Sequence, residues 1–399
     1  MHYEHFVTNL SLRILRNKIC YGNMKTGKPQ NPFLLSGYVS KEYFCDRESE
    51  TQKLVSALVN GRNITLISPR RMGKTGLIRH TFHKMETEQG VHCYYVDLFQ
   101  TDSLSSLVTK LGNVVLGTLD TQKEQLIKQV VTFFKSLRPV FGMDPRTGEP
   151  NFSINVQPEL AEQSLEEILS YMEQSGKSCY VAFDEFQKIT EYEDKKVEAI
   201  LRSYIQHLVN VHFIFSGSQR HVLENMFASA SRPFYQSTQM MNLGSIAEET
   251  YFEFAASHLK AHGQTIDAET FHYAYQKLYA HTWYVQMLLN RLYEEKISSI
   301  DMSAIDNELI DIVDDNEATF QTFLRLVTPA QRKILRAIAV EGKVKEISGR
   351  KFITAHHLGA ASTVASAVKS LVDKELILDE QGTYSVYDRF LGLYLLKKS

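Results

Sequence analysis

Three short stretches of the chain carry side chains whose types and spacing suit them to work on a phosphate. The first is Ser68-Pro69-Arg70-Arg71-Met72-Gly73-Lys74-Thr75. The phosphate-loop pattern is Gly, four unrestricted residues, then Gly-Lys-Ser/Thr. This stretch keeps Gly73-Lys74-Thr75 and has Ser68 where the first Gly would stand. In such a turn successive backbone N–H groups point inward onto phosphate oxygens. The helix that begins near Gly73 adds unpaired N–H groups and the positive end of its dipole. Gly73 leaves the backbone open to close approach, Lys74 reaches the β- and γ-phosphates, and Thr75 offers its hydroxyl to magnesium. The second stretch is Asp184-Glu185, at the end of the apolar run 179–183. Asp184 is expected to hold the ion through water or indirectly through Thr75, and Glu185 to polarise an attacking water. The third is Ser216-Gly-Ser218, after the apolar run 211–215. One of its two hydroxyls, Ser216 or Ser218, is placed to hydrogen-bond the γ-phosphate or the water. Arg232, in the next connection, is a candidate contact to the phosphate or to a neighbour's phosphate, with a plain surface arginine as the alternative.

These residues need a scaffold that gathers strand ends on one edge. Ile64, Leu66 and Ile67 form a short buried strand ahead of the loop. Leu77, Ile78, Phe82 and Met85 then recur at helical spacing until Gly90. A second strand, 91–98, ends near Asp97, and ligand-facing residues collect at such C-terminal ends in open α/β sheets. Helices are expected at 103–119, 122–137, 161–175 and 195–209, and a last strand at 240–246. Upstream, Asp46 is positioned to cap a helix that carries Leu54 and Leu58. Pro139, Gly142, Pro145, Gly148 and Pro150, followed by alternation in 152–156, predict an inserted loop with a small hairpin. Residues 248–325 read as helical. Beyond Pro329, three helices and a strand–turn–strand at 376–387 predict a winged helix-turn-helix. The expected domains are an N-terminal extension, 1–31; an α/β core, 32–246, with an insertion near 139–159; a helical lid, 247–325; and a winged helix, 326–399.

With 43% hydrophobic and 23% charged residues in 399, the chain has the composition of a soluble globular protein. Its formal charge of -2 excludes a generally basic, nucleic-acid-coating protein. Residues 329–399 hold 12 Lys/Arg against 7 Asp/Glu, a formal +5, so the rest of the chain carries -7. That asymmetry permits a DNA partner. The expected recognition helix, from Ala361 to Lys369, is poor in base-reading side chains, so a protein-packing role stays open beside DNA binding. The four cysteines lack metal-ligand spacing, which favours a reduced, cytoplasmic setting. No apolar run reaches the length of a membrane span. The stretch from Met1 to Gly27 reads either as an extension ahead of a true start at Met24 or as a short helix.

Taken together, these motifs resemble the archaeal-type ATPase family of the AAA+/STAND branch of P-loop NTPases. Its domain opens with a Phe-x-Gly-Arg-Glu box, here Phe44-Cys45-Asp46-Arg47-Glu48. Its phosphate loop reads Gly-Pro-Arg-Arg-x-Gly-Lys-Thr. Asp184-Glu185-Phe186-Gln187 resembles its magnesium-binding strand, Phe215-Ser-Gly-Ser218 its sensor strand, and 384–390 its winged-helix ending. The resemblance implies a five-stranded parallel core, a helical lid and a winged helix, with ATP and Mg2+ as ligands. The implied nucleotide contacts are Arg47, Ser68, Pro69, Arg70, Arg71, Met72, Gly73, Lys74, Thr75 and Gly76, with Thr75 and Asp184 on the metal. It further implies that Lys74, Glu185, Ser216, Ser218 and Arg232 form the catalytic set. Where the family has Pro-Leu-Tyr-Gly-Arg, this chain has Pro233-Phe-Tyr-Gln-Ser237. Either Arg232 substitutes for that arginine or the chain lacks an activating arginine, which points to slow, self-contained hydrolysis. The expected function is a magnesium-dependent ATPase acting as a nucleotide-driven conformational switch. Two alternatives are a DNA-binding regulator that uses ATP as a structural ligand and a small-molecule phosphotransferase. A protein partner and self-association are left open.

Overall fold

The computed structural model describes residues 28–117, 133–143, 150–295, 297–380 and 382–397. The expected N-terminal extension up to Gly27 and most of the expected helix 122–137 lie outside the described residues. The chain divides into two compact units, one ending at Thr250 and one beginning at Tyr251.

The first unit is built on five short strands, of which the last, 239–242, lies at the sheet edge and is mostly exposed. They are β1 (Ile64–Ile67), β2 (His92–Asp97), β5 (Cys179–Asp184), β6 (Val211–Gly217) and β7 (Gln239–Asn242). They form one sheet in the order β2-β5-β6-β1-β7, every pair parallel. A parallel sheet is covered on both faces, so its strands read as continuous apolar runs. Accordingly, all four residues of β1 and all six of β5 are buried. On one face lie α1 (Glu48–Val59) and α2 (Lys74–Gln89), which pack Leu54, Leu58, Leu77, Ile78 and Phe82 against Leu66, Ala182 and Ile214. On the other lie α3 (Leu104–Gly117), α4 (Ala161–Glu173), α5 (Val197–Ile205) and α6 (Arg220–Ala228).

That second face carries an aromatic cluster. Phe215 of β6 sits with its ring centroid 4.6 Å from Phe186, 5.3 Å from Phe227 and 5.3 Å from Phe234. Phe186 opens a 3-10 turn, Phe186–Glu191, directly after Glu185. The cluster therefore fixes the backbone on which the second carboxylate stands.

The insertion is an antiparallel hairpin of β3 (Arg138–Met143) and β4 (Pro150–Asn155). It docks on α3: Ile154 N donates to Asn113 Oδ1 at 2.7 Å, and a Cβ on Gly112 would collide with the Ile154 side chain.

The second unit holds α8 (Ala268–Lys277), α9 (Thr282–Glu294), α10 (Met302–Asp315), α11 (Glu317–Arg325) and most of α7 (Glu248–Ala261), with a two-residue parallel pair, β8 (Thr265–Ile266) and β9 (Ser299–Ile300). Caps set its helix starts. Asp267 accepts from Thr270 N at 2.7 Å, and Asp301 from Ala304 N at 2.8 Å. The winged helix follows as α12 (Pro329–Glu341), α13 (Arg350–Ala355), α14 (Ala361–Asp373) and the wing β10 (Ile377–Glu380) with β11 (Thr383–Val386). Thr328 and Gln331 form a reciprocal capping box at α12. The last described element is α15 (Arg389–Lys397). Arg389, 7% exposed, lies 4.3 Å over the Tyr279 ring, and Tyr284 meets Phe390 edge-on at 4.9 Å. The lid helices and the winged helix thus pack as one body.

One local expectation fails. Asp46 does not cap α1; the N-cap is Arg47, in a left-handed conformation with φ 56 and no side-chain cap. The Arg47 side chain has other work, described below.

Phe215→Ala should remove the centre of the aromatic cluster and destabilise the first unit by about 3–5 kcal/mol. Urea unfolding checks this; a midpoint equal to that of the wild type would contradict it.

Candidate nucleotide site

The register of the sheet brings the predicted residues to one edge. Asp97 lies opposite Asp184, and Ile67 opposite Gly217. The loop after β1 therefore faces the segments after β5 and β6.

The loop itself is shaped by two left-handed residues, Arg71 at φ 63 and Gly73 at φ 94. The space that a Cβ of Gly73 would enter is open. Helix α2 starts at Lys74 with no side-chain cap, so no side chain competes for its first N–H groups. Ser68 is buried, whereas Arg70 and Arg71 are exposed. Arg47, 4% exposed, clamps the loop from behind: its guanidinium donates to the Met72 carbonyl at 3.2 Å, to the Ser245 carbonyl at 3.4 Å and to Glu50 at 2.9 Å. Phe44 stacks on His80 of α2 at 4.6 Å and leans on Gly76, where a Cβ would come within 3.2 Å of its ring. The Phe44–Glu48 box is thus tied to the phosphate loop at Met72 and to α2 at Gly76 and His80.

Lys74, 6% exposed, folds over the loop. Its ammonium donates to the Ser68 carbonyl at 2.9 Å and the Pro69 carbonyl at 3.0 Å. Burial pushes its pKa down, opposed by the nearby carboxylates of Asp184 and Glu185.

Asp184, 4% exposed, is the hub. Oδ2 accepts from Thr75 Oγ1 at 2.8 Å and from the Tyr95 hydroxyl. Oδ1 accepts from Ser216 Oγ and from the Glu185 amide at 3.0 Å. Burial, the Asp184 charge and this hydrogen bond push the Tyr95 phenol well above its usual range, so it stays a donor. Arg79 covers the Tyr95 ring at 4.3 Å.

Glu185 is left-handed, with φ 54 and ψ 41. Its Oε2 accepts from Ser218 Oγ at 3.0 Å and from Gln187 Nε2. The two sensor-strand hydroxyls therefore divide their work: Ser216 goes to Asp184 and Ser218 to Glu185. Arg232 is held by an ion pair to Glu198, whose own pKa burial raises against the pull of that arginine.

Tyr95 and Gln187 belong to this assembly but had no assigned role in the sequence reading. Alternation in β2 puts Tyr95 on the same face as Asp97, but only the register of β2 against β5 sets it beside Asp184. Gln187 lies two residues past Glu185, and only the left-handed backbone at Glu185 folds it back.

The donor set suits a hard divalent cation: one hydroxyl and one carboxylate within hydrogen-bond distance, beside an uncapped helix start. Near the Arg47 end, a cleft of about 600 Å³ is lined by residues of α1, by β7 and by Ser245, Ile246 and Ala247. Among the described residues, no helix is long and apolar enough to cross a membrane.

Comparisons with known proteins bear on the family and the fold. No curated protein matches the chain at a significant level. Among solved structures, the Walker-type ATPase of Pyrococcus abyssi aligns with a TM-score of 0.62 at 18% identity, covering 92% of this chain and 99% of that one. The ORC2 protein of Aeropyrum pernix, solved with ADPNP and ADP, aligns at 0.55 and 13% identity, over 93% and 98%. The ORC1 protein of Aeropyrum pernix, solved in complex with DNA, aligns at 0.50 and 13% identity, over 93% and 97%. At such identities these likenesses show the fold. A probable winged helix domain matches residues 318–397. The family described as an ATPase domain predominantly from Archaea matches residues 44–288, more than half of the chain, and the protein belongs to that family.

Proposed function

We propose that this protein is a magnesium-dependent ATPase that works as a nucleotide-driven conformational switch. The observation that carries the reading is the 2.8 Å bond between Thr75 and Asp184, made across the opening of an uncapped helix and next to Glu185. In this reading Lys74 leaves the Ser68 and Pro69 carbonyls for the β- and γ-phosphates. The N–H groups at the start of α2 take phosphate oxygens, and the base enters the cleft between α1 and Ile246. Thr75 and Asp184 hold Mg2+. When bound, the ion neutralises phosphate charge. Glu185 orients water and accepts its proton. Arg232, engaged by Glu198, does not complete the site from within the chain, which accords with slow turnover. The lid and winged helix, packed as one body, are the part that answers to the bound nucleotide.

A second reading concerns the partner. On α14, Ser362, Thr363, Ser366 and Lys369 are exposed while Val364, Val368 and Leu371 are buried. Short hydroxyls and one lysine suit phosphate contacts better than base readout. We infer a sequence-tolerant DNA partner for this face. The full chain should bind duplex DNA with an affinity that falls steeply from 50 to about 200 mM salt; salt-independent binding, or none, removes this reading.

Lys74→Ala should abolish tight ATP binding, measured by calorimetry with magnesium present. Glu185→Gln should bind ATP as the wild type does and lose about 100-fold or more in kcat, the usual scale for a general base. Wild-type turnover by Glu185→Gln would reject the assigned role. Arg47→Ala should release the Met72 carbonyl and weaken ATP binding by about tenfold, on the scale of a hydrogen bond from a charged donor; unchanged affinity would show that the clamp does not shape the loop.

A further inference from the structure

Glu185 is held by contacts that the reading above does not use. Its carboxylate is pinned at one oxygen only: Oε2 takes both the Ser218 hydroxyl and the Gln187 amide, and among the described residues no donor reaches Oε1. The Gln187 orientation follows from chemistry, since a carboxylate oxygen only accepts and so must face the amide nitrogen. Gln187 is 5% exposed, and its own Oε1 is buried without a hydrogen-bond partner. A buried carbonyl without a partner is disfavoured, so this side chain is kept where it is at a cost to the fold. Two further features make room for it. Glu185 adopts a left-handed backbone that turns the following residues back, and Gly217 has no Cβ. A Cβ there would overlap the Gln187 amide oxygen and come within 3.0 Å of Leu223 Cδ1. The strained residue, the missing Cβ and the orphaned oxygen all serve one contact.

We propose that Gln187 is a positioning residue for ATP hydrolysis: it locks Glu185 by Oε2 so that Oε1 is the oxygen presented to the attacking water. The proposal rests on the reading of Glu185 as the water-activating group. In the step it serves, a proton of the water passes to Glu185 Oε1 and the water oxygen bonds to the γ-phosphorus. The bond from that phosphorus to the β–γ bridging oxygen breaks, leaving ADP and phosphate. Gln187 touches neither water nor nucleotide. It removes the rotation that would otherwise let either carboxylate oxygen, or neither, face the water. The glycine between the two sensor serines then has a purpose of its own, which is to leave the amide its space.

The test compares Gln187→Met, Gly217→Ala and Glu185→Gln in the full-length protein, with ATP and Mg2+. Met keeps the length of the side chain and removes the donor, whereas Ala at position 217 keeps the donor and displaces it. Both variants should lose about tenfold or more in kcat, on the scale of a hydrogen bond to a charged group, with KM and ATP affinity within about twofold of the wild type. The double variant should be no slower than Gln187→Met alone, because both changes break the same contact. A merely structural Gln187 would lower the unfolding midpoint and leave kcat per folded molecule unchanged. Wild-type kcat in Gln187→Met, with turnover lost in Glu185→Gln, overturns the proposal and leaves the parent reading standing. Wild-type turnover in Glu185→Gln overturns both.

Discussion

Asp184 is the point at which the parts of the site meet. Four donors converge on its two oxygens from separate places in the fold: Thr75 at the start of α2, Tyr95 on β2, Ser216 on β6 and the amide of Glu185. A carboxylate this deeply buried is costly unless it is hydrogen-bonded, and charge-assisted bonds of this kind are the stronger ones. The carboxylate is thereby fixed in direction as well as tolerated. Because its partners come from two neighbouring strands and the phosphate loop, any shift of one strand against another would disturb it.

The parallel sheet makes that convergence unavoidable. All five strands run the same way, so their C-terminal ends share one edge, with Asp97, Asp184 and Gly217 at the ends of β2, β5 and β6. The central position of β6, between β5 and β1, sets the two sensor serines between the second carboxylate and the phosphate loop. Packing on the far face adds rigidity. Phe186, sunk into the cluster around Phe215, fixes the chain immediately after the left-handed Glu185. On the near face, the buried Arg47 ties the loop carbonyl at Met72 to the Phe44–Glu48 box. The second unit depends on a similar economy. The buried Arg389 stacked on Tyr279 joins the end of the winged helix to the lid helices.

Much of this was legible in the residues. Gly73-Lys74-Thr75 after an apolar strand has a narrow physical meaning, and apolar runs ending in Asp184-Glu185 or Ser216-Gly-Ser218 mark strands whose ends carry chemistry. The winged helix was legible because three helical segments beyond Pro329 are followed by a strand, a turn and a strand. What remained hidden depends on contacts between distant residues. Tyr95 reads as an ordinary β-strand aromatic until the register places it beside Asp184. Ser216 and Ser218 read as interchangeable until the fold gives Ser216, on β6, to Asp184 and Ser218, just past its end, to Glu185. Arg47 is marked in sequence only by the Phe44–Glu48 box, which gives no sign that it bonds the Met72 carbonyl, and its left-handed backbone displaces the cap that Asp46 was positioned to provide. The ion pair of Arg232 with Glu198, 34 residues earlier, likewise has no local sign in the sequence.

Calorimetric titration of the full-length protein with ATP, in matched solutions with and without Mg2+, tests the shared Thr75–Asp184 site most directly. The geometry predicts one nucleotide per chain, bound at least about tenfold more tightly when the ion is present. No heat of binding, or equal affinity in the two solutions, would contradict a metal held between Thr75 and Asp184.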